Sequence, residues 1–259
     1  MVGVNCMTQR KLTLRQLGIA FARPDGIEVH VMRRLLLWLL FNIVLIFTCF
    51  WAMGSARFWS FQVSAFEKAD RMNPPKQGII VFTGSSSIRF WHTLENDMKP
   101  LEIINRGFGG SQIAHVNKYA STIILPYQPR AVVLYAGDND LSWPWAKPPE
   151  QVFSDFKQFV GIIHAKLPET WIYYISMKPA PLRWTNWEKE KRTNALIENY
   201  CETQPRVQYI DVDAAMLDAN GKPRSELFKW DGLHMNSEGY AIWTSIIKPV
   251  LLSRFGDTN

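Results

Sequence analysis

Five short runs rich in β-branched and aromatic residues, alternating with stretches of helical period, constrain this chain more than any other feature. Gly78–Thr83, Leu101–Asn105, Ala131–Ala136, Trp171–Ser176 and Val207–Asp211 each predict a buried strand. Glu150–Leu167 carries Val152, Phe153, Phe156, Phe159, Val160 and Ile163 at helical spacing, with Pro148-Pro149 ahead of it and Pro168 behind. Asn186–Glu202 and Ser237–Phe255 predict two further helices, the last with Tyr240, Ile242, Trp243, Ile246 and Ile247 as its apolar residues. Strands that alternate with helices imply a parallel sheet covered on both faces. Ligands of such sheets bind beyond the carboxyl ends of the strands. Chemistry is therefore expected just after Thr83, Asn105 and Ala136, and in the loop before the last helix.

The unusual residues gather at those four places. They are Gly84-Ser85-Ser86-Ser87-Ile88, Asn105-Arg106-Gly107-Phe108-Gly109-Gly110-Ser111, Gly137-Asp138-Asn139-Asp140 and Asp231-Gly232-Leu233-His234. Taken singly, each has a purely local explanation. A Gly-Ser turn caps a helix, a Gly-rich loop makes a tight turn, and Asp and Asn are ordinary turn residues. What points to function is that all four fall, in order, at one edge of one sheet.

These four segments resemble the sequence blocks of the SGNH hydrolases, the GDSL-like lipases and esterases, and the likeness runs from about Ile79 to Trp243. The resemblance implies a flavodoxin-like, three-layer α/β/α sandwich around a five-stranded parallel sheet. It also implies a serine ester hydrolase, with Ser86 as nucleophile and Asp231 and His234 as its partners. An oxyanion hole of the Ser86 and Gly110 amides and the Asn139 side chain follows from the same likeness. One departure stands out: the Asp usual before the nucleophile is Ser85, and Ser87 follows. The choice of Ser86 among three consecutive serines rests on alignment to the block, and Ser85 and Ser87 remain alternatives. The Gly-x-Ser-x-Gly elbow of other serine hydrolases does not fit, because Ile88 stands in place of its second glycine.

The chemistry explains why such residues are needed. A serine hydroxyl needs a neighbouring base, and a histidine titrates near the working pH. A carboxylate holds the imidazole in the right tautomer, and fixed N–H donors meet the negative oxygen of the tetrahedral intermediate. At Gly110 the lack of a side chain is expected to let the backbone come close. No cofactor and no metal are expected, since no His/Cys grouping has zinc spacing. His30, His92, His115 and His164 read as structural or solvent-exposed. Trp91, Trp143, Trp145, Trp184, Trp187 and Trp230 are expected around the site, as faces for sugar rings or acyl chains or as ordinary packing. Lys178 and Arg183, in the loop after the fourth strand, read as contacts for an anionic substrate or as solvated surface. The expected substrate is a small ester, a lipid or an acylated glycan with a short acyl group. The alternatives are an O-acyltransferase using the same residues and a non-catalytic membrane-anchored binding domain.

Ahead of this domain lies Leu35–Gly54, an apolar run, and no charge occurs between Arg34 and Arg57. About 20 helical residues cross a bilayer core of about 30 Å, so residues 35–56 are expected to form a transmembrane helix or signal anchor. The sequence has six basic and two acidic residues before Leu35, so four of its six net positive charges precede the run. That asymmetry argues against a nucleic-acid face and for a cytoplasmic N-terminus. The catalytic domain would then lie outside the cytoplasm, anchored, or secreted if cleavage occurs near Gly54-Ser55-Ala56. The expected divisions are a basic segment over 1–34, the membrane helix over 35–56, a linker over 57–77 and the hydrolase domain over 78–256. Met32-Arg33-Arg34-Leu35 reads like the start of a signal sequence, which makes Met32 a candidate initiation site. Cys6, Cys49 and Cys201 offer no disulfide framework. The sequence fixes no oligomeric state.

Overall fold

The computed structural model describes residues 26–54, 56–144 and 146–256, with the side chains of 26–29, 47 and 49–58 outside the description. The chain divides into two units, Met1–Ala52 and Met53–Asn259.

The first unit contributes helix α1, whose span is Gly26–Gly54. Its described apolar side chains from Leu35 to Ile46 face outward, Trp38 and Phe41 at 65% exposure each. Among the described residues, no helix is long and apolar enough to cross a membrane. Where a transmembrane helix is expected over 35–56, the backbone is helical as far as Gly54 within a helix that begins by Gly26, and a membrane crossing is not shown. Most of the expected basic segment, and Cys6, lie outside the described residues.

The second unit is built on five parallel strands: β1 (Ile80–Gly84), β2 (Ile103–Gly107), β3 (Ala131–Tyr135), β4 (Trp171–Ile175) and β5 (Val207–Ile210). Their spatial order is β2-β1-β3-β4-β5, every neighbouring pair parallel. This is the doubly wound order whose winding reverses between β1 and β3, where the loops part and leave a crevice.

Successive strand residues point to opposite faces, and the two cores follow that rule. From β3, Val132 and Leu134 enter one core, whereas Ala131, Val133 and Tyr135 enter the other. The first core is completed by α5 (Ile113–Ile123), α6 (Pro149–His164) and α7 (Trp187–Thr203). The second is completed by α8 (Ser237–Phe255) and by residues of two short turns, α3 (Ser86–Arg89) and α4 (Leu94–Asp97). The result is the expected three-layer α/β/α sandwich. Helix α5 is one the alternation requires but the periodicity reading leaves out; it buries Ile113, Val116, Ala120 and Ile123.

The expected linker over 57–77 is corrected. Ala56–Met72 is a helix, α2, ended before Pro74-Pro75. Trp59, Val63, Phe66 and Asp70 recur at helical spacing and form one stripe. Trp59 and Val63 are buried in the first core, with Phe66 packed against it. Asp70 accepts from the Arg106 guanidinium and from the Tyr127 hydroxyl. A helix that is polar on average still docks when its few apolar residues share a face.

Phe156 lies at the centre of the first core, with its ring edge-on to Tyr174 at 5.0 Å and to Tyr200 at 6.1 Å. Truncating such a residue removes its transfer energy and leaves a cavity. Phe156→Ala is expected to lower the unfolding free energy by about 3–5 kcal/mol, read from denaturant titration.

Candidate active site

Strand β1 ends on Gly84 at φ +124°, and a Cβ there would stand 1.9 Å from the Tyr135 carbonyl oxygen. Only glycine fits, so the chain turns sharply into the serines and starts α3. Ser85 N–H donates to that same Tyr135 oxygen at 2.8 Å. The three serines then separate by environment. Ser85 is fully buried, its hydroxyl without a partner, and Ser87 is buried with its hydroxyl accepting from Lys178 Nζ at 3.0 Å. Ser86 alone reaches the crevice, and its Oγ lies 3.0 Å from His234 Nε2.

The other ring nitrogen, His234 Nδ1, is 2.7 Å from Asp231 Oδ2. Asp231 Oδ1 accepts from the backbone N–H groups of Leu233 and His234, both at 2.9 Å. Burial pushes this carboxyl up, but the His234 ring and the two amides outweigh it and hold it at about 2. Phe90 packs edge-on against the imidazole at 5.0 Å. Asn236 caps α8 by accepting from Glu238 N–H and Gly239 N–H, which anchors the loop bearing His234.

The loop after β2 is tied to β1 through the Gly84 carbonyl, which accepts from Phe108 N–H and Ser111 Oγ at 2.9 Å each. Helix α2 braces it from outside. Trp59 Nε1 donates to the Gly109 carbonyl at 2.9 Å, and Gly109 N–H donates to Gln62 Oε1 at 3.1 Å. Gly110 follows at φ +74°, and a Cβ there would meet nothing within 4 Å. Within the protein, then, it is the left-handed backbone that favours glycine at this position.

After β3, Asn139 Nδ2 donates to the Ser111 carbonyl at 3.0 Å, while Oδ1 accepts from Arg183 Nη2 at 2.6 Å. Gly110, Asn139, Trp59, His115, Trp143 and Arg183 line a cleft of about 290 Å³ together with Gln112, Ser142 and Lys147. Of the two readings of His115, structural or solvent-exposed, its packing fits the first. It stacks under Trp59 at 3.8 Å, its Nδ1 accepts from Gln112 N–H, and burial, then Lys147 and Lys118, push it down to about 4. Neutral imidazole is therefore the form that walls the cleft.

Beneath the serines lies a charge cluster that includes Lys178 and Arg183, which the sequence reads as contacts for an anionic substrate or as solvated surface. Lys178 is 1% exposed; besides Ser87 it donates to Tyr135 Oη at 3.1 Å and stands 3.8 Å from Asp138 Oδ2. Arg183 Nη1 is 3.1 Å from the same Asp138 oxygen. Neither cation is solvated surface. Glu190, buried with both oxygens unpartnered, is driven up to about 8 by burial and then by Asp138.

The tryptophans divide. Trp143 lines the cleft, and Trp230, beside Asp231, is 98% exposed. Trp91 and Trp187 are core residues, Trp184 stacks on Trp187 at 5.9 Å, and Trp145 lies outside the described residues. Among the described residues no group of three or more His, Cys, Asp or Glu side chains could hold a metal ion. Trp59 and Gln62, which brace the Gly109 peptide, went unnoticed in the sequence; their three-residue spacing on a helix face was the available signal.

The family model described as GDSL-like Lipase/Acylhydrolase matches residues 78–242. The chain is 25% identical over 188 residues to the platelet-activating factor acetylhydrolase IB subunit alpha2 of Gallus gallus, covering 68% of this chain and 75% of that protein. A GDSL-like lipase from Bacteroides thetaiotaomicron superposes with a TM-score of 0.62 at 20% identity, over 78% of this chain and 98% of that one. A carbohydrate esterase of family 3 from Talaromyces cellulolyticus gives 0.56 at 16% identity, over 70% and 100%. These two likenesses are of fold.

The state of Glu190 generates a prediction. Its folded pKa lies above the usual carboxylate value, so between about pH 4.5 and 8 the folded state holds a proton that the unfolded state has released. Stability conferred by that proton is lost as pH rises through this window. Replacing Glu190→Gln removes the titration, so the melting temperature of the variant relative to wild type should rise from pH 5 to pH 8. A constant difference across that range would contradict the assignment.

Proposed function

This chain belongs to the GDSL-like lipase/acylhydrolase family of ester hydrolases, and from that premise we propose that it cleaves short-chain carboxylic esters through an acyl-enzyme on Ser86. The observation that carries the reading is the continuous hydrogen-bonded line Ser86 Oγ, His234 and Asp231, at 3.0 and 2.7 Å.

His234 Nε2 takes the Ser86 proton as Oγ attacks the ester carbonyl carbon. The carbonyl oxygen becomes negative and is met by the Ser86 and Gly110 amides and by Asn139 Nδ2. The imidazolium, stabilised by Asp231, returns the proton to the departing alcohol oxygen as its bond to carbon breaks. Water then repeats the sequence on the acyl-enzyme, with His234 again as base, releasing the carboxylic acid and restoring the hydroxyl. Asp231, held at about 2, is ionised throughout the neutral range and keeps Nδ1 protonated.

Substrate size is inferred from the cleft. About 290 Å³ with two tryptophans and several polar groups suits a compact, polar moiety beside the reacting carbonyl. The relative from Gallus gallus is named an acetylhydrolase and the Talaromyces protein a carbohydrate esterase, which favours a short acyl group.

Location forms a second part of the proposal. The row of apolar side chains that α1 turns outward from Leu35 to Ile46 favours cover by lipid, and Arg33-Arg34 favours a cytoplasmic N-terminal flank with the catalytic unit across the membrane. Fractionation with a carbonate wash tests this: release of the full chain into the soluble fraction would rule it out.

The activity test uses the full chain and aryl esters from acetate to long acyl chains. Acetate is expected to turn over fastest without any added acceptor. Ser86→Ala should lose both turnover and labelling by a fluorophosphonate, and His234→Ala should lose turnover while keeping its melting temperature. Asn139→Ala should cost about 10²–10³ in kcat. Turnover that needs a sugar or lipid acceptor would shift the reading to acyl transfer. Absence of labelling in wild type would leave a binding domain.

A further inference from the structure

The Asn139 amide is held from two sides. Its carbonyl Oδ1 accepts from Arg183 Nη2 at 2.6 Å, and its nitrogen donates one hydrogen to the Ser111 carbonyl at 3.0 Å. Guanidinium has no acceptor and a carbonyl oxygen has no donor, so these two partners fix which end of the amide is which. The second Nδ2 hydrogen is left for another acceptor. Arg183 comes from a turn, Pro181–Asn186, 44 residues beyond Asn139 in sequence.

Arg183 is itself fixed. Its Nη1 is 3.1 Å from Asp138 Oδ2, and its side chain is 16% exposed. The other oxygen, Asp138 Oδ1, accepts from Asn139 N–H at 2.9 Å, so one carboxylate holds both the arginine and the backbone of the asparagine. Tyr135 Oη donates to Asp138 Oδ2 at 3.2 Å from below. The guanidinium thus hydrogen-bonds the amide through Nη2 and is ion-paired, with no hydrogen bond from Nη1, to the carboxylate next to it in the chain.

We propose that Arg183 is a positioning residue for the oxyanion donor Asn139, setting the direction of its amide and strengthening its free N–H. The inference rests on the reading of Asn139 as an oxyanion donor. Two physical effects support it. A charged donor on Oδ1 draws electron density from the amide nitrogen, so the remaining hydrogen is a better donor to a negative oxygen. Without Arg183, a half-turn of the amide would aim Oδ1, an acceptor, at the developing oxyanion. Both effects act in the transition state, where the charge develops, so they bear on kcat more than on KM. Arg183 also lines the cleft, and a direct contact with bound substrate would act mainly on KM instead.

The experiment is a double-mutant cycle on the full chain with an aryl acetate: wild type, Asn139→Ala, Arg183→Gln and the pair. Arg183→Gln is expected to lower kcat about tenfold, less than loss of the donor itself, with KM unchanged within about twofold. In the Asn139→Ala background the same replacement should cost nothing further. An equal loss in both backgrounds, or a rise in KM with kcat intact, overturns the proposal. A loss in Asn139→Ala without one in Arg183→Gln also removes this inference and leaves the oxyanion reading standing. Full activity of Asn139→Ala removes the oxyanion reading and this inference together. Should Arg183→Gln fail to fold, Arg183→Lys keeps a cation for Asp138 but replaces the fork by a single point of attachment. It enters the same cycle with the same expectations.

Discussion

Everything at the site depends on how tightly the backbone closes around Gly84. Its carbonyl accepts from Phe108 N–H and Ser111 Oγ, and the next amide, Ser85 N–H, donates to Tyr135. The ends of β1, β2 and β3 are thereby interlocked within one residue, at the point where the sheet reverses its winding. A side chain there would occupy the Tyr135 carbonyl. The position of Ser86 is consequently a property of the sheet. Fixed backbone, and not the mutual attraction of side chains, places its hydroxyl against an imidazole that arrives from the far end of the chain. Catalytic geometry built on a rigid element loses little entropy when the reaction begins.

Below this knot the protein buries charge, which costs stability unless each group is paired. Lys178 and Arg183 share Asp138, and Lys178 also donates to Ser87 and Tyr135. The backbone carbonyl of Ser87 accepts from Tyr240 Oη at 2.9 Å, so the residue after Ser86 is gripped by strand, loop and final helix at once. Glu190 is the exception, buried without a hydrogen-bond partner and carrying its proton at neutral pH. A neutral Glu190 leaves Asp138 as the carboxylate that balances the two cations. Ionising it would put a second negative group into the same small volume. The cluster is therefore poised by burial, and its worth lies in orientation more than in net stability.

Much of this was legible beforehand, for a definable reason. Strand and helix periods report burial on one element, and the four glycine- and Asx-rich segments report the ends of strands. Those signals are local, and they located the four segments that carry Ser86, Gly110, Asn139, Asp231 and His234; the family resemblance picked out the individual residues. The misses were of two other kinds. Helix α2 reads as a polar connector because only Trp59, Val63 and Phe66 are apolar on its buried stripe, and averaging hides a stripe that narrow. The roles of Lys178, Arg183 and His115 depend on partners tens of residues away, which leave no pattern in the chain around them. Only coordinates separate Ser86 from Ser85 and Ser87, because the difference is direction and not chemistry.

The two halves of the site are held by different parts of the molecule. Ser86 and His234 are fixed by β1, by α3 and by the Asn236 cap of α8. The amide donors are fixed from outside by Trp59 and Gln62 of α2, and from beneath by Arg183. Disturbing α2 would leave the serine–imidazole hydrogen bond in place while moving the Gly109–Gly110 peptide. On the proposed mechanism, such a change would alter transition-state stabilisation without altering the resting serine. A segment that reads as a tether thus supplies, through Trp59, part of the wall of the candidate site.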